Sequence, residues 1–314
     1  MSVMSRASAA AATGCLLALL ASAAAQADIS ALLWPLPQAY TQGGGGPALP
    51  LAPPAAFYMC APNASSAVLA AALPRFYGYL FPGQAPPPPP GWCTGGAAWS
   101  GRSSSGGRSG GGGAVLGGVD VAVADPAVPL ALGVDESYTL TVAAPRATLQ
   151  AATVWGALRG LESFCQLPAV NAGVLSVVGA PITISDFPRF PHRGVMLDTA
   201  RHFLPVQTIL DTLEAMSFDK FNVLHWHVVD AQSFPMESAA YPGLTAGAYA
   251  PDAVYSAADV TQIVSFAAAR GIMVMPEFDV PGPCVRACVR VCVCVCVCVC
   301  VFVCVCMCVC GVCV

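Results

Sequence analysis

The sequence predicts an α/β protein, and three observations carry that prediction. From Asp186 onward, short apolar runs alternate with helical stretches: Gly194 to Asp198, Asn222 to Asp230, and Gly271 to Met275. Each run ends in ionisable side chains, namely Asp198, the His225/His227 pair with Asp230, and Glu277 with Asp279, so polar chemistry collects at the carboxyl ends of buried strands. Before Asp186, apolar and polar residues alternate as they do in half-buried strands, and one long helical stretch follows them. The expected fold class is therefore an α+β amino-terminal domain followed by a partial (β/α)8 TIM barrel.

The amino terminus carries Arg6, an apolar stretch around Cys15 to Leu20, and an Ala25-Gln26-Ala27 cleavage site. Residues 1–27 are thus expected to be a secretory signal peptide, cut near Asp28. Its apolar core is shorter than the ~20 residues a spanning helix needs, so a membrane anchor is the weaker reading and no membrane partner is expected. The sequon Asn63-Ala64-Ser65, with Asn63 as acceptor, agrees with a lumenal route and an oxidising compartment.

Residues 28–186 are expected to form the amino-terminal domain. Between Gln84 and Gly118, Pro86 to Pro90 and a Gly/Ser-rich run cannot bury apolar surface, so a disordered loop 84–118 is expected. Strand patterning returns at Val119, Val121 and Val123 and again from Tyr138 to Val142, and Thr153 to Phe164 reads as a helix covering that sheet. Cys60 and Cys93 can close a disulfide across the intervening segment, which leaves Cys165 unpaired.

The barrel segment is assigned to residues 187–283. Pro205 suits a first helical turn, and Val206, Ile209, Leu210, Leu213 and Met216 fall on one face. The next helix opens with Ser256-x-x-Asp259, a capping-box pattern, and offers Val260, Ile263, Val264 and Ala267 to the core. After Pro283 the character changes, for 12 of the 16 cysteines lie in residues 284–314. Hydropathy reads this tail as a membrane segment, alternation as a strand, and C-x-C spacing as a thiolate metal cluster. The preferred reading is a translated microsatellite, because a TG dinucleotide repeat encodes alternating Cys and Val.

Charged residues make up only 10% of the chain, the net charge is −4, and Lys220 is the single lysine. With no basic face to hold phosphates, nucleic acid is not an expected partner.

The strings ISDFPRFPHRGVMLDTARHFLP, FNVLHWHVVDAQSFPMES and PEFDVPG together resemble the family 20 glycoside hydrolases, the β-N-acetylhexosaminidases. LLWPLPQ, DESYTLTV and VWGALRGLESFCQL resemble that family's amino-terminal domain, so the resemblance runs from residue 32 to 282 apart from the low-complexity loop. It implies removal of terminal N-acetylglucosamine or N-acetylgalactosamine from glycans with retention, the sugar's own acetamido oxygen acting as nucleophile. It also implies that Arg201 hydrogen-bonds the outer hydroxyls of the sugar and that Asp230 is a carboxylate beside the active site, with His227, Glu277 and Asp279 at supporting positions. No cofactor and no metal is implied, and a homodimer is implied for the full-length enzyme, acting outside the cell or in a lysosome or vacuole.

The resemblance breaks at Pro283, where the family carries a histidine, and its adjacent Asp-Glu pair after the fourth barrel strand finds no match. The only Asp-Glu dipeptide is Asp135-Glu136, in the amino-terminal domain. No catalytic residue is therefore assigned. Three barrel strands cannot close a sheet, so the chain as written is expected to be poorly folded and inactive. Two other readings stand beside this one: a metal-dependent barrel hydrolase using His225 and His227, and a non-catalytic product. The plainest account of Arg201 is a salt bridge to a nearby acid; of Asp198 and Asp279, capping of the turns that follow; and of Trp226, packing.

Overall fold

The computed structural model describes residues 28–44, 46–62, 66–90, 93 and 114–279. The expected signal peptide, the acceptor Asn63, most of the expected 84–118 loop, Pro283 and the cysteine-rich tail lie outside the described residues. The elements given by the described residues are, in order, β1 (Ala39–Gln42), β2 (Leu49–Pro50), β3 (Tyr58–Cys60), α1 (Ala67–Leu80), β4 (Gly118–Asp125), β5 (Tyr138–Val142), β6 (Ala147–Thr153), α2 (Val154–Gln166), β7 (Pro168–Asn171), β8 (Val174–Val177), β9 (Ile182–Asp186), β10 (Gly194–Asp198), α3 (Val206–Phe218), β11 (Val223–Val229), α4 (Ala257–Ala268) and β12 (Met273–Phe278). No helix among the described residues is long and apolar enough to cross a membrane.

Two compact units emerge. Among the described residues the first runs to Arg193 and adds Leu213–Asn222 and Ala267–Met273; the second comprises Gly194–Thr212, Val223–Phe266 and the residues from Val274.

The first unit is built on a six-stranded sheet in the order β1-β9-β5-β6-β4-β3, parallel from β3 through β6 and antiparallel from β6 to β1. β4 is buried on both faces for its first four residues, more than the half-buried strand the alternation predicts. Its polar residue there, Asp120, ion-pairs with Arg146 at 3.1 Å. Leu116, placed in the loop by composition, is fully buried and bridges Leu51, so order resumes before β4.

α2 begins at Thr153, whose Oγ1 accepts from the amides of Trp155 and Gly156 and so satisfies two donors the first turn leaves open. Every residue from Val154 to Phe164 is buried, so this helix is covered all round and not on one side only. Gly160 permits that closeness, since a Cβ there would stand 2.3 Å from Leu149 Cδ1. Phe164 stacks on Phe57, which meets Phe81 edge-on, extending one core from α2 to the end of α1. Cys60 and Cys93 are joined by a disulfide spanning 33 residues, and Cys165 is a free thiol.

Burying α2 also buries charge. Glu136 accepts from Arg159 Nε and Arg193 Nη2, each at 2.6 Å, and from Asn222 Nδ2 at 3.2 Å, while Arg159 Nη2 donates to the Gly271 carbonyl at 2.8 Å. Lys220 ends α3 in the left-handed region at φ 58°, where the Phe221 amide donates back to the Met216 carbonyl. Its ammonium donates to Ser163 Oγ at 2.7 Å, Tyr138 Oη at 3.0 Å and Asp186 at 3.2 Å. A glycine would hold that backbone with less strain but could not supply the three donors that this buried polar pocket uses.

In the second unit the sheet order is β10-β11-β12, with β10 and β11 parallel and joined through α3, and β11 and β12 joined through α4. These steps form part of a (β/α)8 barrel. Ile209, Leu210, Leu213 and Met216 of α3 are buried, as their spacing predicts. α4 meets expectation only in part, since Val260 is half-buried. Ile263 and Ala267 are buried, but Val264 is 44% exposed because the buried stripe is narrower than the apolar one. Ser256 and Asp259 form a reciprocal cap, the Ser256 amide donating to Asp259 at 2.9 Å and the Asp259 amide to Ser256 Oγ at 3.2 Å. β12 begins two residues later than the apolar run and continues through Glu277, which puts that side chain within the sheet.

Candidate active site

The parallel register sets Met196 opposite His225 and Asp198 opposite His227. Since side chains alternate along a strand, the two histidines share a face with Asp198, and Trp226 points the other way. Trp226 is buried, its Nε1 donating to Thr199 Oγ1 at 2.9 Å and its ring meeting Tyr255 edge-on.

Glu277 arrives from β12 on the histidine face. One oxygen, Oε2, lies 2.6 Å from His225 Nε2 and 2.8 Å from His227 Nδ1. The other nitrogen of His227, Nε2, is 3.2 Å from both Asp230 Oδ2 and Arg201 Nη1. Arg201 in turn ion-pairs with Asp198 Oδ2 at 2.8 Å through Nη1 and with Asp230 Oδ2 through Nη2. A continuous chain of contacts thus links Glu277, His227, Asp230, Arg201 and Asp198 at one end of the sheet.

Local backbone structure fixes these groups. Asp198 Oδ1 accepts from the amides of Ala200 and Arg201, turning the chain just after β10 and setting the start of the arginine side chain. The Thr199 amide donates to the His227 carbonyl at 3.0 Å, carrying the pairing of β10 and β11 one residue further. Asp230 and Ser233 exchange two backbone hydrogen bonds of 3.2 Å, so Asp230 sits at the neck of a tight turn. Tyr249 Oη donates to the Arg201 carbonyl at 3.1 Å.

The electrostatics favour the charged forms of Asp198, Arg201, His227, Asp230 and Glu277. The Asp198 carboxyl is held low: burial opposes ionisation, but the Arg201 amide and guanidinium outweigh it. Asp230 is held low chiefly by the Ala231 amide, then by His227 and Arg201, and Glu277 chiefly by its hydrogen bond to His227. Burial works to lower the His227 pKa, yet the hydrogen bonds to Glu277 and Asp230 dominate and the net shift is upward. Arg201 is raised chiefly by its hydrogen bond to Asp198.

Arg201, Asp230, His227 and Glu277 are therefore in mutual contact, and Asp279 stands at the end of the same group, its carboxylate reaching within 4.8 Å of the ligand atoms of His227 and Asp230. Those three could hold a metal ion. The plain reading of Arg201 as an ion-pair partner and the sharper one as a ligand donor coexist, because the side chain keeps 46% exposure with two carboxylates behind it. Asp198 likewise both caps its turn and pairs with Arg201. Asp135-Glu136 is not here; Glu136 belongs to the buried arginine cluster of the first unit. Thr199 and Tyr249 were not among the sequence candidates. Thr199 follows Asp198 at a strand end, a signal that could have found it, whereas nothing periodic marks the stretch around Tyr249.

Comparison with known proteins gives two family matches. Residues 190–299 match the profile described as "Glycosyl hydrolase family 20, catalytic domain", and residues 33–167 match one described as "beta-acetyl hexosaminidase like". The mouse β-hexosaminidase subunit beta is 54% identical over 153 residues, which is 48% of this chain and 28% of that protein. β-Hexosaminidase 1 of Arabidopsis thaliana is 40% identical over 265 residues, 82% of this chain and 46% of that protein. This chain thus spans less than half the length of either relative. Among solved structures, the chitobiase of Flavobacterium johnsoniae superposes with a TM-score of 0.66 at 28% identity, covering 83% of this chain and 37% of that one.

Proposed function

The chain belongs to glycosyl hydrolase family 20, and on that premise we propose that the cluster around Arg201 binds the terminal non-reducing N-acetylglucosamine or N-acetylgalactosamine of a glycan. The observation that carries the proposal is the guanidinium of Arg201, pinned by Asp198 and Asp230 yet half-open to solvent. A planar fork of donors held in this way suits neighbouring hydroxyl oxygens. Asp230 shares in holding the sugar, and His227, Glu277 and Asp279 support it. The reaction of the whole protein is β-N-acetylhexosaminidase chemistry, retaining and substrate-assisted, with no metal or other cofactor. Residues 28–186 act as its amino-terminal domain and 187–283 as the catalytic barrel segment. It travels the secretory pathway to the cell exterior or a lysosome or vacuole, carries a glycan on Asn63, and dimerises in its full-length form.

The 314-residue chain does not itself turn over substrate in this reading. Its only Asp-Glu dipeptide is Asp135-Glu136, and Glu136 is buried among Arg159, Arg193 and Asn222, where no sugar can reach it. The test has two arms. N-acetylglucosamine should show saturable binding in ligand-observed NMR that Arg201→Gln abolishes, and a chromogenic N-acetylglucosaminide should show no hydrolysis above background. Binding unaffected by Arg201→Gln would overturn the sugar assignment, and turnover would overturn the inactivity.

A further inference from the structure

The end of the sheet that carries Arg201 holds a second, unassigned capacity. His227 Nδ1 is committed to Glu277 Oε2 at 2.8 Å, which fixes the imidazole orientation and directs Nε2 toward Asp230 Oδ2, 3.2 Å away. A carboxylate behind a histidine is the arrangement that orients metal-ligating histidines, and here it turns the far nitrogen toward both Asp230 and Arg201. Arg201 Nη1 lies 3.2 Å from that nitrogen, so an ion would take the place of the guanidinium there and of the proton that Asp230 favours on it.

Two carboxylates complete the group. Asp230 is buried and fixed by its turn, with Oδ1 occupied by the Ala231 amide and Oδ2 on the histidine side. Asp279 is exposed, its amide paired to the Val229 carbonyl at 3.2 Å, and among the described residues no hydrogen bond reaches its carboxylate. One ligand atom from each of the three lies within 4.8 Å of the others. An ion with bonds of ~2.1 Å needs neighbouring ligand atoms roughly 3.0 Å apart in octahedral and roughly 3.4 Å in tetrahedral geometry, so the exposed Asp279 side chain has only a short way to close.

We infer that His227 Nε2, Asp230 and Asp279 form a site for one divalent transition-metal ion, taken in competition with the Arg201 guanidinium. One imidazole and two carboxylates suit ions of the manganese-to-zinc series, with water in the remaining positions. The competition follows from geometry, since Arg201 uses the same oxygen of Asp230 and the same nitrogen of His227. Its side chain is 46% exposed and can swing away to solvent. Metal binding itself does not depend on the sugar reading. That the metal would also block the sugar does rest on it, because the ion would strip Arg201 of one of the two carboxylates that hold it.

The probe is Mn2+, followed by loss of the free-ion EPR signal on titration into the 314-residue protein. This hard ion is a poor match for the thiols of residues 284–314. One saturable site is expected, weakened roughly tenfold or more by Asp279→Asn and by His227→Gln, as loss of a ligand requires. Arg201→Gln should tighten it severalfold by removing the competing cation, a sign that no merely structural role for these residues would give. Asp279 is exposed, so its variant reads the site even where a change at His227 disturbs folding. The inference falls if neither the wild-type protein nor Arg201→Gln binds Mn2+ saturably, or if Asp279→Asn leaves the affinity unchanged. N-acetylglucosamine binding is measured separately in metal-free buffer, so failure of either assignment leaves the other readable.

Discussion

Replacing Glu136 with glutamine should cost this protein more stability than its position in an exposed-looking Asp-Glu dipeptide suggests. The residue is 4% exposed and its Oε2 receives two guanidinium donors at 2.6 Å, while Oε1 receives the Asn222 amide at 3.2 Å. Arg159, itself 4% exposed, has no other carboxylate in hydrogen-bond contact among the described residues; its other donors reach the Arg270 and Gly271 carbonyls. Glutamine preserves the volume and one acceptor, but it removes the charge and points an N–H group at a donor. Breaking a buried pair in this way costs about 3–5 kcal/mol, because an uncompensated charge is left in the interior. Against a typical total of roughly 5–15 kcal/mol, much of the stability of the first unit would go. With a slope of about 1–3 kcal/mol per molar urea, the midpoint should fall by at least about 1 M. The fluorescence of Trp155, buried in α2 one turn before Arg159, reports the transition. A shift below about 0.3 M, or a rise, would refute the argument that Glu136 neutralises the two arginines.

Two further outcomes are expected. Burial pushes the Glu162 carboxyl up to about 7, against a hydrogen bond from Gln166 at 3.2 Å that favours the charged form. A carboxyl whose folded pKa is raised contributes stability that is fully present below its unfolded pKa of about 4.5 and is lost as pH rises toward 7. Urea midpoints should therefore fall between pH 5 and pH 8, and Glu162→Gln should flatten that difference; an unchanged slope in the variant would count against the assignment. Reducing the Cys60–Cys93 bond releases a constraint across 33 residues, for which the chain-entropy relation gives roughly 3–4 kcal/mol. Cys60→Ser should lower the thermal midpoint of the first unit accordingly, and an unaltered midpoint would show that the bond constrains nothing in the unfolded chain.

The sequence by itself marked several of the elements and their kinds, though not α1 or the strands β1 to β3 and β7 to β9. Period-two alternation marked β5, the 3-to-4 spacing of Ile209, Leu210, Leu213 and Met216 marked α3, and Ser256 with Asp259 marked the start of α4, because each pattern depends on neighbours a few residues apart. It also carried the ionisable groups at the strand ends and the strings that resemble family 20. Only the tertiary structure decided their partners. That Glu277 meets both histidines follows from β12 lying beside β11, and that Glu136 serves two arginines follows from α2 being buried on every side; no local pattern encodes either. Val264 and Leu116 show the same limit, the first apolar yet exposed and the second buried beside a low-complexity run. Burial and pairing are properties of segments brought together from far along the chain, and periodicity reports only which way a residue faces on its own element.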